Sequence, residues 1–111
     1  MAHGTFVVDG TKVGTVIDAA AGHITNILFT GAPTQWEIPN FDSNGLPNQG
    51  YFSLVDNSVT PPRVLFQLNG HVGGGHSPHA THQQMAYSIP FGSLFVNSVP
   101  KGATYSVTTT A

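Results

Sequence analysis

Four of the six histidines lie within a short stretch of the chain, at His71, His76, His79 and His82. Neutral imidazole is a good ligand for zinc and copper, and a first-row metal ion needs three or four such donors at about 2.0–2.1 Å. The chain contains no cysteine, so a thiolate site is excluded. The cluster therefore predicts a binding site for a divalent transition metal, zinc or copper.

The spacing of three residues between His76, His79 and His82 determines which backbone such a site needs. In an extended strand, residues three apart point to opposite faces, so a regular strand would not gather the three rings. A 3₁₀ turn or a polyproline II segment repeats every three residues and would align them. The glycines at 73–75 would let His71 fold back as a further ligand. The alternative is a solvated polar loop, or one in which histidines meet their equivalents in an oligomer.

A second candidate site combines aromatic rings with hydrogen-bonding side chains around a loop at residues 39–50. Sugars are bound by an aromatic face that contacts their CH groups and by planar polar groups that contact their hydroxyls. The alternative function is therefore a lectin-like, carbohydrate-binding module. The competing interpretation places the tryptophan in the core and the aspartate in an Asx turn. The residues concerned are Trp36, Asp42, Asn44 and Tyr51, with the amides of Asn40, Asn48 and Gln49 beside them.

Charged side chains are scarce, which restricts the partners of this protein. Lys, Arg, Asp and Glu make up 7% of the 111 residues, against about 25% in an average soluble domain. Three basic residues cannot neutralise a phosphate track or form a membrane-surface helix, and no apolar run reaches the roughly 18 residues of a membrane span. We therefore expect neither nucleic-acid binding nor membrane insertion. A neutral polar surface predicts an extracellular or periplasmic protein that forms a homo-oligomer.

The sequence shows no arrangement of side chains that predicts catalysis. It contains neither a Gly-x-Ser-x-Gly motif nor a phosphate-binding glycine loop followed by lysine. Glu37 and Asp42 are two of only five acidic residues, and nothing in their spacing indicates a glycosidase pair. We therefore predict a non-catalytic extracellular binding or surface module with the histidine cluster as its site. Carbohydrate binding, or a self-assembling structural subunit of a surface layer, filament or particle, is the alternative.

The elements that must position these residues are short β-strands. Apolar residues alternate or form short blocks that end at Gly, Pro, Asn or Asp. Residues 4–17 are predicted to form a hairpin around Asp9-Gly10. The length fits one domain over residues 1–111, a β-sandwich or jelly roll of about eight or nine short antiparallel strands. The predicted strands are residues 4–8, 12–17, 23–30, 34–38, 51–55, 63–68, 84–89, 93–96 and 104–109.

The metal hypothesis predicts near-stoichiometric zinc or copper in untagged protein that has never been exposed to a nickel resin. Replacing His76, His79 and His82 together by Ala should remove this metal, because too few imidazoles remain to complete the coordination. Mass spectrometry of metal content and calorimetric titration near neutral pH measure the effect, with His23→Ala, outside the cluster, as the control. An affinity weaker than about 10 μM, or roughly −7 kcal/mol, would contradict the hypothesis.

Overall fold

The computed structural model describes residues 3–31, 33–34, 37–69 and 84–111, and this part of the chain is built from β-strands. Eight strands form two four-stranded antiparallel sheets, and two more form a small third sheet, so the predicted all-β class is confirmed. Within the described residues, no helix has the length and hydrophobicity needed to cross a bilayer. The strands are β1 (Thr5–Val8), β2 (Val16–Asp18), β3 (Gly22–Gly31), β4 (Asn40–Phe41), β5 (Pro47–Gln49), β6 (Tyr51–Asp56), β7 (Arg63–Asn69), β8 (Gln84–Phe91), β9 (Leu94–Ser98) and β10 (Thr104–Thr110).

The strand order in the two large sheets is that of a jelly roll. Sheet A has the order β1-β10-β3-β8, and sheet B has the order β2-β9-β6-β7. The paired strands enclose one another along the chain, with the β6–β7 pair innermost. Moving outward in sequence, β3 pairs with β8, β2 with β9 and β1 with β10. Such a nested antiparallel ribbon, wound so that successive pairs fall in opposite sheets, is the eight-stranded jelly roll.

The core between the sheets is centred on a stack of aromatic rings. Tyr105 on β10 stacks on Phe52 on β6 with ring centroids 3.8 Å apart and planes at 10°. Phe29 on β3 packs against the same tyrosine at 5.2 Å, and all three residues are at most 1% exposed. Burial of each such ring stabilises the fold by about 1.5–3 kcal/mol before the entropy of ordering is subtracted. The stack therefore joins sheet A to sheet B.

Three local predictions about the strands are wrong. Residues 4–17 do not form a hairpin, because β1 belongs to sheet A and β2 to sheet B. Asp9 instead caps a short 3₁₀ helix, Gly10–Lys12, through which the chain crosses between the sheets. Residues 34–38 form no strand at the positions that are described. The predicted loop at 39–50 contains the additional hairpin of β4 and β5.

A buried carboxylate, Asp56, joins two turns at one end of the sandwich. Asp56 is 3% exposed, and it accepts hydrogen bonds from the N–H and Oγ of Ser58 and from the N–H groups of Gly92 and Ser93. Arg63 adds an ion pair at 3.2 Å. Burial on its own would raise the pKa of Asp56, but the hydrogen bonds from Ser58, Gly92 and Ser93 outweigh burial and hold the pKa well below its ordinary value of 3.8. The ionised carboxylate therefore stabilises the folded state.

We expect Asp56→Asn to lower the free energy of unfolding by about 2–3 kcal/mol, because hydrogen bonds to a charged acceptor are the stronger ones. Since the pKa is lower in the folded state than in the unfolded state, the carboxylate's contribution is complete at neutral pH and is lost as the pH falls below about 4. Urea unfolding of both proteins measures the difference in stability at neutral and at acid pH. The difference in unfolding free energy between the two proteins should become smaller at acid pH. A difference that does not change with pH would contradict the stabilising role of the ionised Asp56 carboxylate.

Candidate functional site

The hairpin of β4 and β5 with its flanks, residues 38–51, forms the candidate site and lies against sheet B. Leu46, Pro47 and Gly50 are its buried residues. The side-chain amide of Asn97 on β9 donates a hydrogen bond to the carbonyl of Pro47. These contacts hold one side of the hairpin on the sandwich. The other side is exposed, and we call this segment the hairpin site.

Asp42 fixes the tip of the hairpin site. Its Oδ1 accepts hydrogen bonds from the N–H of Asn44 at 2.8 Å and of Leu46 at 3.0 Å. The N–H of Asp42 donates to the carbonyl of Leu46 at 2.8 Å. Gly45 has a φ of +79°, a left-handed conformation that a residue without Cβ adopts at little cost. The prediction that Asp42 forms an Asx turn is therefore confirmed.

An exposed aromatic surface lies on the same segment. The rings of Phe41 and Tyr51 are 5.6 Å apart at 53°, and Phe41 is 46% exposed. Ile38, at the start of the site, is 72% exposed. A ring that packs on a second ring has fewer accessible orientations than a free side chain, so it presents a defined apolar face.

Three exposed side-chain amides accompany this aromatic surface. Nδ2 of Asn40 donates to Oδ1 of Asn48 at 2.9 Å, and Nε2 of Gln49 donates to the carbonyl of Ile38 at 3.0 Å. These bonds leave Oδ1 of Asn40, Nδ2 of Asn48 and Oε1 of Gln49 without a partner among the described residues. An amide group both donates and accepts. The hairpin site therefore presents acceptors and a donor in fixed positions.

The two acidic residues near the hairpin have structural partners. Oε1 of Glu37 accepts a hydrogen bond from the N–H of Lys101 at 3.0 Å, and Asp42 closes the turn described above. No lysine or arginine occurs between residues 37 and 51. The surface presented to a ligand is therefore mainly neutral.

The structure brings several of the predicted ligand residues together. Asp42 and Asn44 share one turn, and Tyr51 lies under the exposed ring of Phe41. Phe41 was not predicted, and its position between Asn40 and Asp42 in a polar loop does not by itself indicate whether the ring is buried or exposed. The predicted residues that lie outside the described part of the chain are Trp36, His71, His76, His79 and His82.

A second polar cluster joins the start of β1 to β2 and β10. Nδ1 of His3 donates to Oδ2 of the buried Asp18 at 3.0 Å. The hydroxyl of Thr109 donates to the same oxygen at 2.6 Å, and the N–H of Ala20 donates to Oδ1 at 3.2 Å. A carboxylate that orients an imidazole also supports metal-bound histidines. Across the described ranges, however, no three His, Asp or Glu side chains come together as a metal site, so we assign this cluster a structural role.

Comparisons with known proteins gave no match. No protein-family model, no curated protein and no solved structure matches the chain.

Replacing Asp42 by Ala should loosen the hairpin site, because two backbone N–H groups lose their acceptor. We expect the free energy of unfolding to fall by about 1 kcal/mol and the amide of Leu46 to exchange faster with deuterium. Hydrogen exchange followed by NMR measures this rate. Ser43→Ala changes a neighbouring side chain that forms no hydrogen bond in the described structure, so it serves as the control. Unchanged exchange at Leu46 in the Asp42 variant would rule out this role.

Proposed function

We propose that the protein is a non-catalytic binding module whose hairpin site binds neutral carbohydrate. One observation carries the proposal. The exposed ring of Phe41 packs on Tyr51 and shares a fixed hairpin with the exposed amides of Asn40, Asn48 and Gln49.

The chemistry of this surface complements that of a sugar. A pyranose ring has an apolar face of CH groups that packs on an aromatic ring, and its rim of hydroxyls both donates and accepts hydrogen bonds. Phe41 supplies the apolar contact, and the unpaired atoms of Asn40, Asn48 and Gln49 supply two acceptors and one donor. Because the site has no basic residue, its chemistry favours a neutral sugar over an acidic one.

The position of the site favours a polymer as the ligand. The aromatic ring and the amides project from a hairpin on the outside of sheet B, so an internal unit of a polysaccharide has access to them. A small open surface gives weak binding, on the order of 0.1–1 mM, which corresponds to about −4 to −5.5 kcal/mol. Several copies of the domain bound to one polymer would increase the apparent affinity.

A divalent-metal site is the second candidate function. The density of imidazoles at His71, His76, His79 and His82 favours it. The homo-oligomeric state and the extracellular or periplasmic location are further proposals, which rest on the low charge of the chain. None of these proposals conflicts with carbohydrate binding at the hairpin site.

The carbohydrate proposal predicts that an array of neutral polysaccharides contains at least one that binds, and that Phe41→Ala weakens this binding about tenfold or more. A tenfold loss equals about 1.4 kcal/mol, which is close to the effect of one aromatic contact. Titration calorimetry on the polysaccharide identified by the array measures the loss. Val7→Ala provides the control, because Val7 is 64% exposed on β1, away from the hairpin site.

Two results would overturn the proposal. The first is an array on which no neutral polysaccharide binds the folded protein. The second is equal binding by the Phe41→Ala and Val7→Ala variants, which would place the binding surface elsewhere.

A further inference from the structure

Both large sheets end in an edge strand on the same side of the sandwich. β1 is the outer strand of sheet A, and β2 is the outer strand of sheet B. A groove of about 640 Å³ lies between them, and its lining includes Val7, Val16, Ile17 and Lys12. Val7 is 64% exposed and Val16 is 43% exposed. Among the residues that the structure describes, the sandwich is therefore open along this side and presents apolar side chains there.

The backbone of β1 also has hydrogen-bonding groups at this open edge. The N–H of Thr109 donates to the carbonyl of Gly4 at 2.8 Å, and the register of β1 with β10 continues without a shift. In an antiparallel ladder, residues that bond to the partner strand alternate with residues that do not. The N–H and C=O groups of Thr5 and Val7 therefore point away from β10, towards the open edge.

The sequence of β1 lacks the charges, prolines and bulges by which many edge strands are protected. Thr5–Val8 contains no charge and no proline, and the strand has no bulge. Charged residues, proline and bulges are the common means of preventing further pairing at a sheet edge. By contrast, the edge strand β8 contains Pro90 and the edge strand β7 begins with Arg63. Of these three edges, β1 is therefore the best suited to pair with an additional strand.

Lys12 determines the charge that such a strand should carry. Lys12 is among the residues that line the groove, and its ammonium group forms no ion pair within the described residues. The nearby carboxylate of Asp9 does not line the groove and accepts hydrogen bonds from the N–H and the hydroxyl of Thr11. A carboxylate on the incoming strand would therefore be the complementary partner of Lys12.

We propose that the β1 edge binds an extended acidic segment of a partner protein as a fifth strand of sheet A. The main-chain groups of Thr5 and Val7 form the new ladder. Apolar side chains of the segment pack on Val7 and Val16, and an aspartate or glutamate faces Lys12. Strand addition of this kind gains affinity from main-chain bonds and specificity from alternate side chains. This proposal is independent of carbohydrate binding.

The test uses the full chain, labelled with ¹⁵N, and two blocked peptides of alternating Thr and Val. One peptide ends in Asp and the other ends in Lys. The Asp peptide should shift the amide signals of Thr5 and Val7 and bind about tenfold more tightly than the Lys peptide. The exposed substitution Lys12→Glu should reverse this order. An Asp peptide that is N-methylated along one edge should lose binding, because it lacks donors for the ladder.

Three outcomes would overturn the proposal. The first is that the amide signals of Thr5 and Val7 do not move with either peptide, or move equally with both. The second is that Lys12→Glu leaves the order of the two affinities unchanged in a variant whose spectrum shows that it is folded. The third is that the same two amides become protected without any peptide while the native mass doubles, which would mean that a second copy of the chain occupies the edge.

Discussion

Each of the five carboxylates in this chain accepts a hydrogen bond from a backbone N–H group, and four of them bond to the residue two positions ahead. Such bonds mimic a backbone turn, and they stop or redirect a strand where they form. In a chain with so few charges, four of the five acidic residues thus act as turn formers. The bonds are Asp9 to Thr11, Asp18 to Ala20, Asp42 to Asn44, Asp56 to Ser58 and Glu37 to Lys101.

These turns allow distant strands to pair. β10 lies between β1 and β3, so sheet A is complete only when the two ends of the described chain meet. Thr5 contacts Thr108, which is 103 residues away in sequence. Closing so long a loop costs entropy before any contact is gained. The burial of Tyr105 and Val107 from β10 offsets that cost, and the bonds of Thr109 to Asp18 and Gly4 hold the two ends together.

Local sequence patterns predicted most strands but not their partners. Alternation of apolar and polar residues is a property of one strand, so the segments at 51–55 and 104–109 were found. Asp9-Gly10 indicates a change of direction equally well for a hairpin and for a crossing between sheets. The outcome depends on β10, which pairs with β1 from far along the chain. No dipeptide contains that information.

The candidate site was predictable to the same extent. Asp42 and Asn44 were placed correctly in one turn because an Asx turn is a local structure. Phe41 was missed because an apolar residue in a loop is as compatible with burial as with exposure. The hairpin buries Leu46 and Pro47 against sheet B and leaves Phe41 exposed. Which of these residues is buried depends on how the hairpin packs against sheet B, and the loop sequence does not show that packing.

The scarcity of charged residues also shapes how the surface can recognise partners. Only 7% of the residues are charged, so the protein has little charge with which to attract a ligand over a distance. The recognition proposed at the hairpin site would therefore rest on neutral hydrogen bonds and on contact with Phe41, which salt does not screen. The β1 edge differs because Lys12 has no ion pair in the described structure. Salt would limit the range of its attraction for an acidic strand to about one Debye length, roughly 8–10 Å, so ionic strength would act on one surface and not on the other.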